Sequence, residues 1–434
     1  MSARTTALSA LIACRTRGAW SDGILKEYIL RDRLDRRDSA LASRLCYGVL
    51  QNRMLLDFYI AAFLKGKLRD LQPVVLDILR LGVYQLTMTD RIPAAACVNE
   101  AVEQGKKYAN RKAAGLINGV LRAIARAESL PEPPDLATRY SHPQPLVDLL
   151  RESVGDALLP ALLASHNTAP HTAVQVNTVK ITAAEAAERM EKQGVGVEKH
   201  PWLPDCYYLT GTGSIEALEV YREGLVYVQD PAARLAAMAA ALAPGMRVLD
   251  CCAAPGGKSF AAAIQMNDRG SVTSCDVHPH KIDLIRKGAD RLGLTSIHPL
   301  LHDAREPETA WQNAMDAVIA DVPCSGLGVI RKKPDIRYKD LGELEQLPAL
   351  QRTILERAGE YVKPGGVLLY STCTILRREN EEVVRWFLGN HPEFLPECLP
   401  LPQGLAEQET GMLTLYQGVN DCDGFFLCRM RKQA

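Results

Sequence analysis

Two cysteines stand where a thiol can do chemistry. Cys324 lies in Asp321-Val322-Pro323-Cys324-Ser325-Gly326, directly after the apolar run Asp316–Ala320. Cys373 lies in Tyr370-Ser371-Thr372-Cys373-Thr374, directly after Val367–Leu369. Runs of that composition read as strands buried on both faces. Each thiol therefore falls in a polar, Gly- or Ser/Thr-rich turn at the carboxyl end of a strand, where a thiolate can act as a nucleophile. A third segment, Val248-Leu249-Asp250-Cys251 followed by Cys252, Ala253, Ala254, Pro255, Gly256, Gly257, Lys258 and Ser259, reads as strand, small-residue loop and helix start. Its two glycines let backbone N–H groups come close to a ligand. Gly-Lys-Ser suggests a P-loop, but that motif requires glycine at position 252, where this chain has cysteine.

Asp276 ends the next strand and Asp303 follows the third. An acid at the end of the second strand commonly accepts hydrogen bonds from a ribose. Alone, either aspartate is as well explained as a helix cap. Together with the loop, and with Asp321, they favour an adenosine-containing ligand that lacks a pyrophosphate, and S-adenosylmethionine fits that description.

The elements that must hold these groups are legible as pattern. From Ala243, strand and helix alternate: Arg247–Asp250, then Ser259–Ile264; Ser271–Asp276, then Lys281–Leu292; then the strands Asp316–Asp321 and Val367–Ser371. Such alternation predicts a doubly wound parallel sheet with ligands at the carboxyl ends of its strands. Residues 146–228 read as a small α+β module with short strands at Thr172–Asn177, Tyr207–Thr210 and Leu225–Gln229. Five prolines between Pro131 and Pro145 mark residues 131–145 as a stiff linker. Residues 1–130 read as all-helical, with apolar stripes such as Leu41, Leu45, Val49 and Ile117, Val120, Leu121, Ile124. The expected layout is 1–130, a linker to 145, a module over 146–228, and a ligand-binding domain over 229–434.

The 51 Lys and Arg balance the 51 Asp and Glu, yet residues 1–130 hold 21 basic against 12 acidic residues. A net of +9 in front is thus set against −9 behind, which suggests a polyanion-binding front module. Basic groups such as Arg31, Arg33, Arg36 and Arg37 lie off the apolar stripes. Twelve cysteines first suggest zinc or disulfides, but no Cys-x-x-Cys pair and no Cys/His cluster at zinc-finger spacing occurs, so no metal is expected. Cys14, Cys46, Cys97, Cys206, Cys398, Cys422 and Cys428 read as small buried hydrophobes. Met1 to Ala10 lack the apolar core of a signal peptide, and no run of about 18 apolar residues exists. A reducing cytoplasm is the expected compartment. Nothing indicates an oligomer.

Cys-Ala-Ala-Pro-Gly-Gly-Lys-Ser (252–259), Asp-Val-Pro-Cys-Ser-Gly-Leu-Gly (321–328), Ile330-Arg331-Lys332-Lys333-Pro334-Asp335, Ser-Thr-Cys-Thr (371–374) and Asp423-Gly424-Phe425-Phe426 resemble the RNA (cytosine-5) methyltransferases of the Sun family. The resemblance is dense over 229–434 and keeps the family's order. Asn99-Glu100-Ala101-Val102 and Gly115-Leu116-Ile117-Asn118-Gly119-Val120-Leu121-Arg122 are similar to the later helices of the NusB-type RNA-binding fold. The implied architecture is multidomain: an all-α NusB-like N-terminal domain, a small α+β RNA-binding-like middle module and a C-terminal α/β Rossmann-like class I methyltransferase. The pairing implies methylation of 16S ribosomal RNA at cytosine 967. One departure lies in the middle module, where Val174-Gln175-Val176-Asn177 replaces the family's usual Leu-Arg-Val-Asn.

The resemblance also implies roles. Carbon 5 of cytosine is a poor nucleophile until a thiolate adds at carbon 6, which makes the ring enamine-like. The family places that thiol in the Thr-Cys turn, here Cys373, and assigns the Pro-Cys thiol, here Cys324, to product release. Asp321, neutral or sharing a proton, relieves charge at ring N3, and Lys258 lowers the pKa of a nearby thiol or carboxyl. The target base must leave its stack. Lys332, Lys333 and Arg337 are expected to hold backbone phosphates. Two other readings stay open: a cytosine-5 methyltransferase of tRNA or another RNA, and a non-catalytic RNA-binding or assembly factor.

Overall fold

The computed structural model describes residues 2–18, 20–90 and 92–434. The chain forms two compact units. The first is Met1–Thr168 together with Ile330–Lys339; the second is Ala169–Val329 together with Asp340–Ala434.

The first unit is helical. Its helices are α1 (Ala3–Arg17), α2 (Ser21–Arg31), α3 (Arg36–Gln51), α4 (Arg53–Phe63), α5 (Pro73–Met88), α6 (Ala94–Tyr108) and α7 (Arg111–Arg126). Two more follow, α8 (Leu136–Tyr140) and α9 (Gln144–Ser165). Local chemistry sets their starts. The Asp35 side chain accepts from Asp38 N at 2.8 Å to open α3, and Asn110 accepts from Ala113 N at 2.9 Å to open α7. Pro73 opens α5, where its missing N–H costs nothing. The apolar stripes turn inward: Leu8, Leu45, Leu56, Ile60, Ile78 and Leu79 are fully buried. The proline-rich stretch contains α8, whose start is capped by Asp135.

A ten-residue excursion completes this unit. Ile330 and Ile336 are buried, and Arg337 is only 1% exposed. Its Nη1 donates to Gln51 O at 2.7 Å, Asn167 Oδ1 at 2.9 Å, and the Tyr140 and Ser141 carbonyls at 3.3 Å. Nη2 donates to His166 O at 3.4 Å. The expectation that Arg337 holds phosphates is therefore corrected: its guanidinium is consumed inside the helical unit, where burial pulls its pKa down to about 10. Lys332 is half-buried and Lys333 is exposed.

The second unit begins with a four-stranded antiparallel sheet of order β2-β3-β1-β4, formed by β1 (Thr172–Val176), β2 (Gly196–Lys199), β3 (Cys206–Thr210) and β4 (Val226–Val228). Helices α10 (Ala183–Lys192) and α11 (Glu219–Arg222) belong to this module. Gln175, where the family usually has arginine, is buried and donates to Cys206 Sγ and Gln229 O, both at 3.1 Å.

The large sheet follows α12 (Pro231–Ala239). Its strands are β5 (Arg247–Asp250), β6 (Ser271–Asp276), β7 (Ile297–Leu301), β8 (Met315–Asp321), β9 (Val362–Thr372), β10 (Phe394–Pro396), β11 (Met412–Leu415) and β12 (Phe425–Lys432). The connecting helices are α13 (Gly257–Gln265), α14 (Pro279–Leu292), α15 (Leu347–Tyr361) and α16 (Glu381–Asn390). Strand order is β10-β12-β9-β8-β5-β6-β7, with β11 on β12. Strands β5 to β9 are parallel, as the alternation predicts. The sheet as a whole is mixed, because β12 returns antiparallel to β9 and carries β10 and β11. No helix among the described residues is long and apolar enough to cross a membrane.

Candidate active site

The carboxyl ends of β5, β6, β7, β8 and β9 share one rim, and the thiol, loop and acidic residues singled out from the sequence gather there, whereas Lys332, Lys333 and Arg337 belong to the helical unit. After β5 the chain turns at Gly256, whose φ of +111° lies in the left-handed region. A Cβ there would meet the Phe260 ring at 2.3 Å, so the turn demands glycine. Asp250, which sequence reasoning passed over, is fully buried beneath the loop. It accepts from Ser259 Oγ at 2.8 Å, and Ser274 Oγ reaches Ser259 Oγ at 2.8 Å. Burial raises its carboxyl to about 7 against the opposing Ser259 hydrogen bond and Lys258 charge.

Two clefts open on this rim. One, of about 340 Å³, is lined by Cys252, Asp276, Asp303 and the apolar Val277, Pro323 and Ile354. Asp276 accepts from His278 N at 3.1 Å and lies 3.7 Å from Lys281 Nζ. Asp303 accepts from Arg305 N and Nε at 3.0 Å, and the Arg305 hydrogen bonds hold its carboxyl below the usual range. The other cleft, of about 190 Å³, is lined by Cys252, Ala253, Ala254, Pro255, Gly257, Lys258 and Asp321. Asp250 and Gln229 also border it, and each has a buried oxygen without a hydrogen-bond partner. Two acids in a partly apolar cleft, joined through Cys252 to a cleft with unsatisfied acceptors, fit an adenosine bearing an amino-acid tail.

Lys258 Nζ donates to Asp321 Oδ2 at 2.6 Å, and Ser371 Oγ donates to Asp321 Oδ1 at 2.8 Å. Burial works to lower Lys258, but the charge and hydrogen bond of Asp321 outweigh it and the net shift is upward. The Cys324 and Cys373 sulfurs stand 3.2 Å apart, both half-buried. Within this pair Cys373 is the more acidic. The Cys324 thiol hydrogen-bonds to it and favours its thiolate; burial and Asp321 oppose, and Lys258 assists. Cys324 is pushed well up by the same hydrogen bond and by burial.

Backbone contacts lock the two thiol loops together. Val322 N donates to Ser371 O at 3.1 Å, and Gly328 N to Cys373 O at 3.0 Å. Gly424 N donates to Gly328 O at 2.8 Å. A Cβ on Gly328 would fall 1.9 Å from Gly424 O, so three chain segments meet where no side chain fits. Glu379 and Asn380, both fully buried, brace the loops from behind. Glu379 Oε2 accepts from Ser325 N at 2.9 Å and Gln351 Nε2 at 2.8 Å. Asn380 Oδ1 accepts from Thr372 Oγ1 at 2.6 Å, and its Nδ2 donates to Thr374 O at 3.0 Å. In sequence they sit in Arg377-Arg378-Glu379-Asn380-Glu381-Glu382, which looks like a solvated charge run; the only signal is its position just past the Thr-Cys turn.

Of the other cysteines, Cys46, Cys97, Cys206, Cys422 and Cys428 are buried. Cys398 is exposed and Cys14 only half-buried, which corrects the expectation for those two. No group of three or more His, Cys, Asp or Glu among the described residues is placed to hold a metal.

Comparison with known proteins agrees with this geometry. Residues 237–431 match the family model of the 16S rRNA methyltransferase RsmB/F, and residues 1–126 match the NusB family. Residues 142–216 match the ferredoxin-like domain of RsmF/B-like methyltransferases. A protein of Bacillus subtilis (strain 168), "Probable ribosomal RNA small subunit methyltransferase B", is 39% identical over all of this chain and 99% of its own length. The "Ribosomal RNA small subunit methyltransferase B" of Vibrio cholerae serotype O1 is 36% identical over 82% of each chain. The crystal structure of PH0851 superposes with a TM-score of 0.82 at 26% identity, covering 98% of both chains. A rim that joins two adjacent thiols to a nucleoside-sized cleft, and relatives that share the chain from end to end, lead to one conclusion: this chain belongs to the ribosomal RNA small subunit methyltransferase B family and is an RNA methyltransferase.

Proposed function

We propose that the protein transfers a methyl group from S-adenosylmethionine to carbon 5 of a cytosine in 16S rRNA, cytosine 967 by family resemblance, through a covalent adduct on Cys373. The observation that carries this reading is the pair of thiols 3.2 Å apart beside the Lys258–Asp321 ion pair. Cys252, Ala253, Ala254, Pro255, Gly256 and Gly257 form the cofactor loop, with Asp276 at the ribose and Asp303 toward the base. S-adenosylmethionine, when bound, supplies an electrophilic methyl group.

The chain's own residues do the rest. The Cys373 thiolate adds to carbon 6, and the electron pair displaced from the 5,6 double bond moves toward N3. Lys258 and Asp321 hold a proton between them, and passing it to N3 neutralises that charge. Of the two expected states of Asp321, neutral or sharing a proton, its ion pair with Lys258 supports the second. Carbon 5 then takes the methyl group. Cys324 first passes its own thiol proton to the Lys258–Asp321 pair, which has just given one to N3. As a thiolate it then takes the proton from carbon 5, the 5,6 double bond reforms, Cys373 leaves as thiolate, and the N3 proton passes to solvent. Two sulfurs are needed because the first is occupied by its bond to carbon 6 when the second step requires a base.

The test incubates purified protein with S-adenosylmethionine and unmodified 16S rRNA, then measures 5-methylcytidine by mass spectrometry of digested RNA. Product is expected from the parent and none from Cys373→Ala. Product from both would move the nucleophile to Cys324. No product from either would turn the reading toward another RNA or a binding factor.

A further inference from the structure

A cleft of about 380 Å³ lies within the helical unit, and none of its lining residues is among those assigned above to chemistry or cofactor. It is bounded by α1, the end of α3, the starts of α2 and α4, α5, and the turn that ends the 330–339 excursion. Its volume lies in the range of small-ligand sites, about 300–1,000 Å³.

The charges in its wall are unequal in what they leave free. Asp77 is engaged by Arg15 Nε at 3.0 Å and Arg80 Nη1 at 3.2 Å, and Arg80 also pairs with Asp57 at 2.7 Å. Asp335 accepts from the Ser21 backbone and hydroxyl. Both carboxylates of the lining are thus already bound. Two cations are not: Arg53 and Lys339 make no ion pair among the described residues. Each lies instead over an aromatic face, Arg53 at 3.6 Å from the Tyr338 ring centroid and Lys339 at 5.1 Å from that of Trp20. Trp20 is 47% exposed, which leaves indole surface open to a stacking partner.

Flat aromatic faces beside uncompensated cations, in a half-open cleft, suit a π-faced anion. We propose that this cleft takes one unpaired nucleotide of the RNA substrate, with its base stacked on Trp20 and its phosphate held by Arg53 and Lys339. The proposal rests on the RNA-methyltransferase reading and adds a second contact point, separate from the base that is methylated. Stacking accepts any base, so this site contributes affinity and placement rather than sequence choice. The lining has four cations against two carboxylates, which favours a phosphodiester over a neutral ligand.

The experiment uses the full chain and a fluorescent single-stranded RNA dodecamer, with 16S rRNA methylation measured in parallel. Trp20→Ala is expected to weaken RNA binding about tenfold, and Trp20→Phe to recover most of the loss. Arg53→Gln is expected to weaken binding and reduce the slope of log affinity against log salt by about 0.7, one phosphate contact on a single strand. On rRNA, KM rises in both Trp20→Ala and Arg53→Gln while kcat stays at the parent value. The proposal is overturned if both bind RNA with the parent's affinity and salt slope while the parent methylates rRNA; the methylation reading then stands. Weakened RNA binding by these variants of a parent that fails to methylate would uphold the cleft and sink the catalytic reading. A parent that neither binds RNA nor methylates it removes both.

Discussion

On the proposed mechanism, removing the sulfur of Cys324 while keeping Cys373 separates bond formation from bond breaking. Cys324→Ala is expected to add to the base but not release it, so a protein–RNA species resistant to denaturing gel electrophoresis accumulates in the presence of S-adenosylmethionine. Cys373→Ala gives no such species. The acidity of Cys373 supplies a second prediction. Its thiolate is favoured by the Cys324 hydrogen bond and the Lys258 charge, so its titration lies below the ordinary thiol value of 9.0. A positive neighbour stabilises the anion, and its removal must raise the pKa. In Lys258→Met the midpoint for iodoacetamide labelling of the Cys373 peptide moves to higher pH, and each pH step of one in that midpoint cuts the thiolate present at neutral pH about tenfold. An unchanged midpoint would show that Lys258 does not act on Cys373. At this scale the sequence was informative where a residue sits within a few positions of a strand end, as Cys324, Cys373, Asp276 and Lys258 do. It was silent on Glu379 and Asn380, whose burial depends on α15 and β9 packing over them.

Elements matter here through their loops. The segments after β8 and β9 and before β12 touch backbone to backbone at Gly328 and Gly424, and this contact sets the spacing of the thiols. Gly328→Ala forces a carbonyl to move, with an expected stability loss of about 1–3 kcal/mol. Activity falls further than stability alone explains, because Gly328 N is bonded to Cys373 O. The comparison of denaturant midpoint with kcat for this variant tests the point: a full kcat in a destabilised protein would sink it. The parallel strands were readable because each is a short apolar run followed by a helix. The antiparallel return of β12 was not, since nothing local in Phe425–Lys432 says whether its neighbour is β9 or a strand further along.

On the scale of the whole molecule, the chain departs from the order that its domains suggest. The helical unit is finished only by residues 330–339, which leave the methyltransferase sequence and return to it. A basic run after a catalytic motif looks like a phosphate clamp, and only tertiary structure reveals Arg337 as a buried tie. Arg337→Met strips hydrogen bonds from the Gln51, Tyr140, Ser141 and His166 carbonyls. An expected loss of about 3 kcal/mol is to be read as faster hydrogen exchange in α3, α8 and α9 of the full-length protein; unchanged exchange there would refute the tie. The same excursion fixes a timetable during synthesis. Helices α1 to α9 leave the ribosome first, but the decapeptide that seals them is encoded about 160 residues later. At elongation rates of about 5–20 residues per second, the nascent helical unit waits roughly 10–30 seconds for its last piece. Through that interval the carbonyls around Arg337 remain open to water, and the unit is at its most exposed to proteases and chaperones.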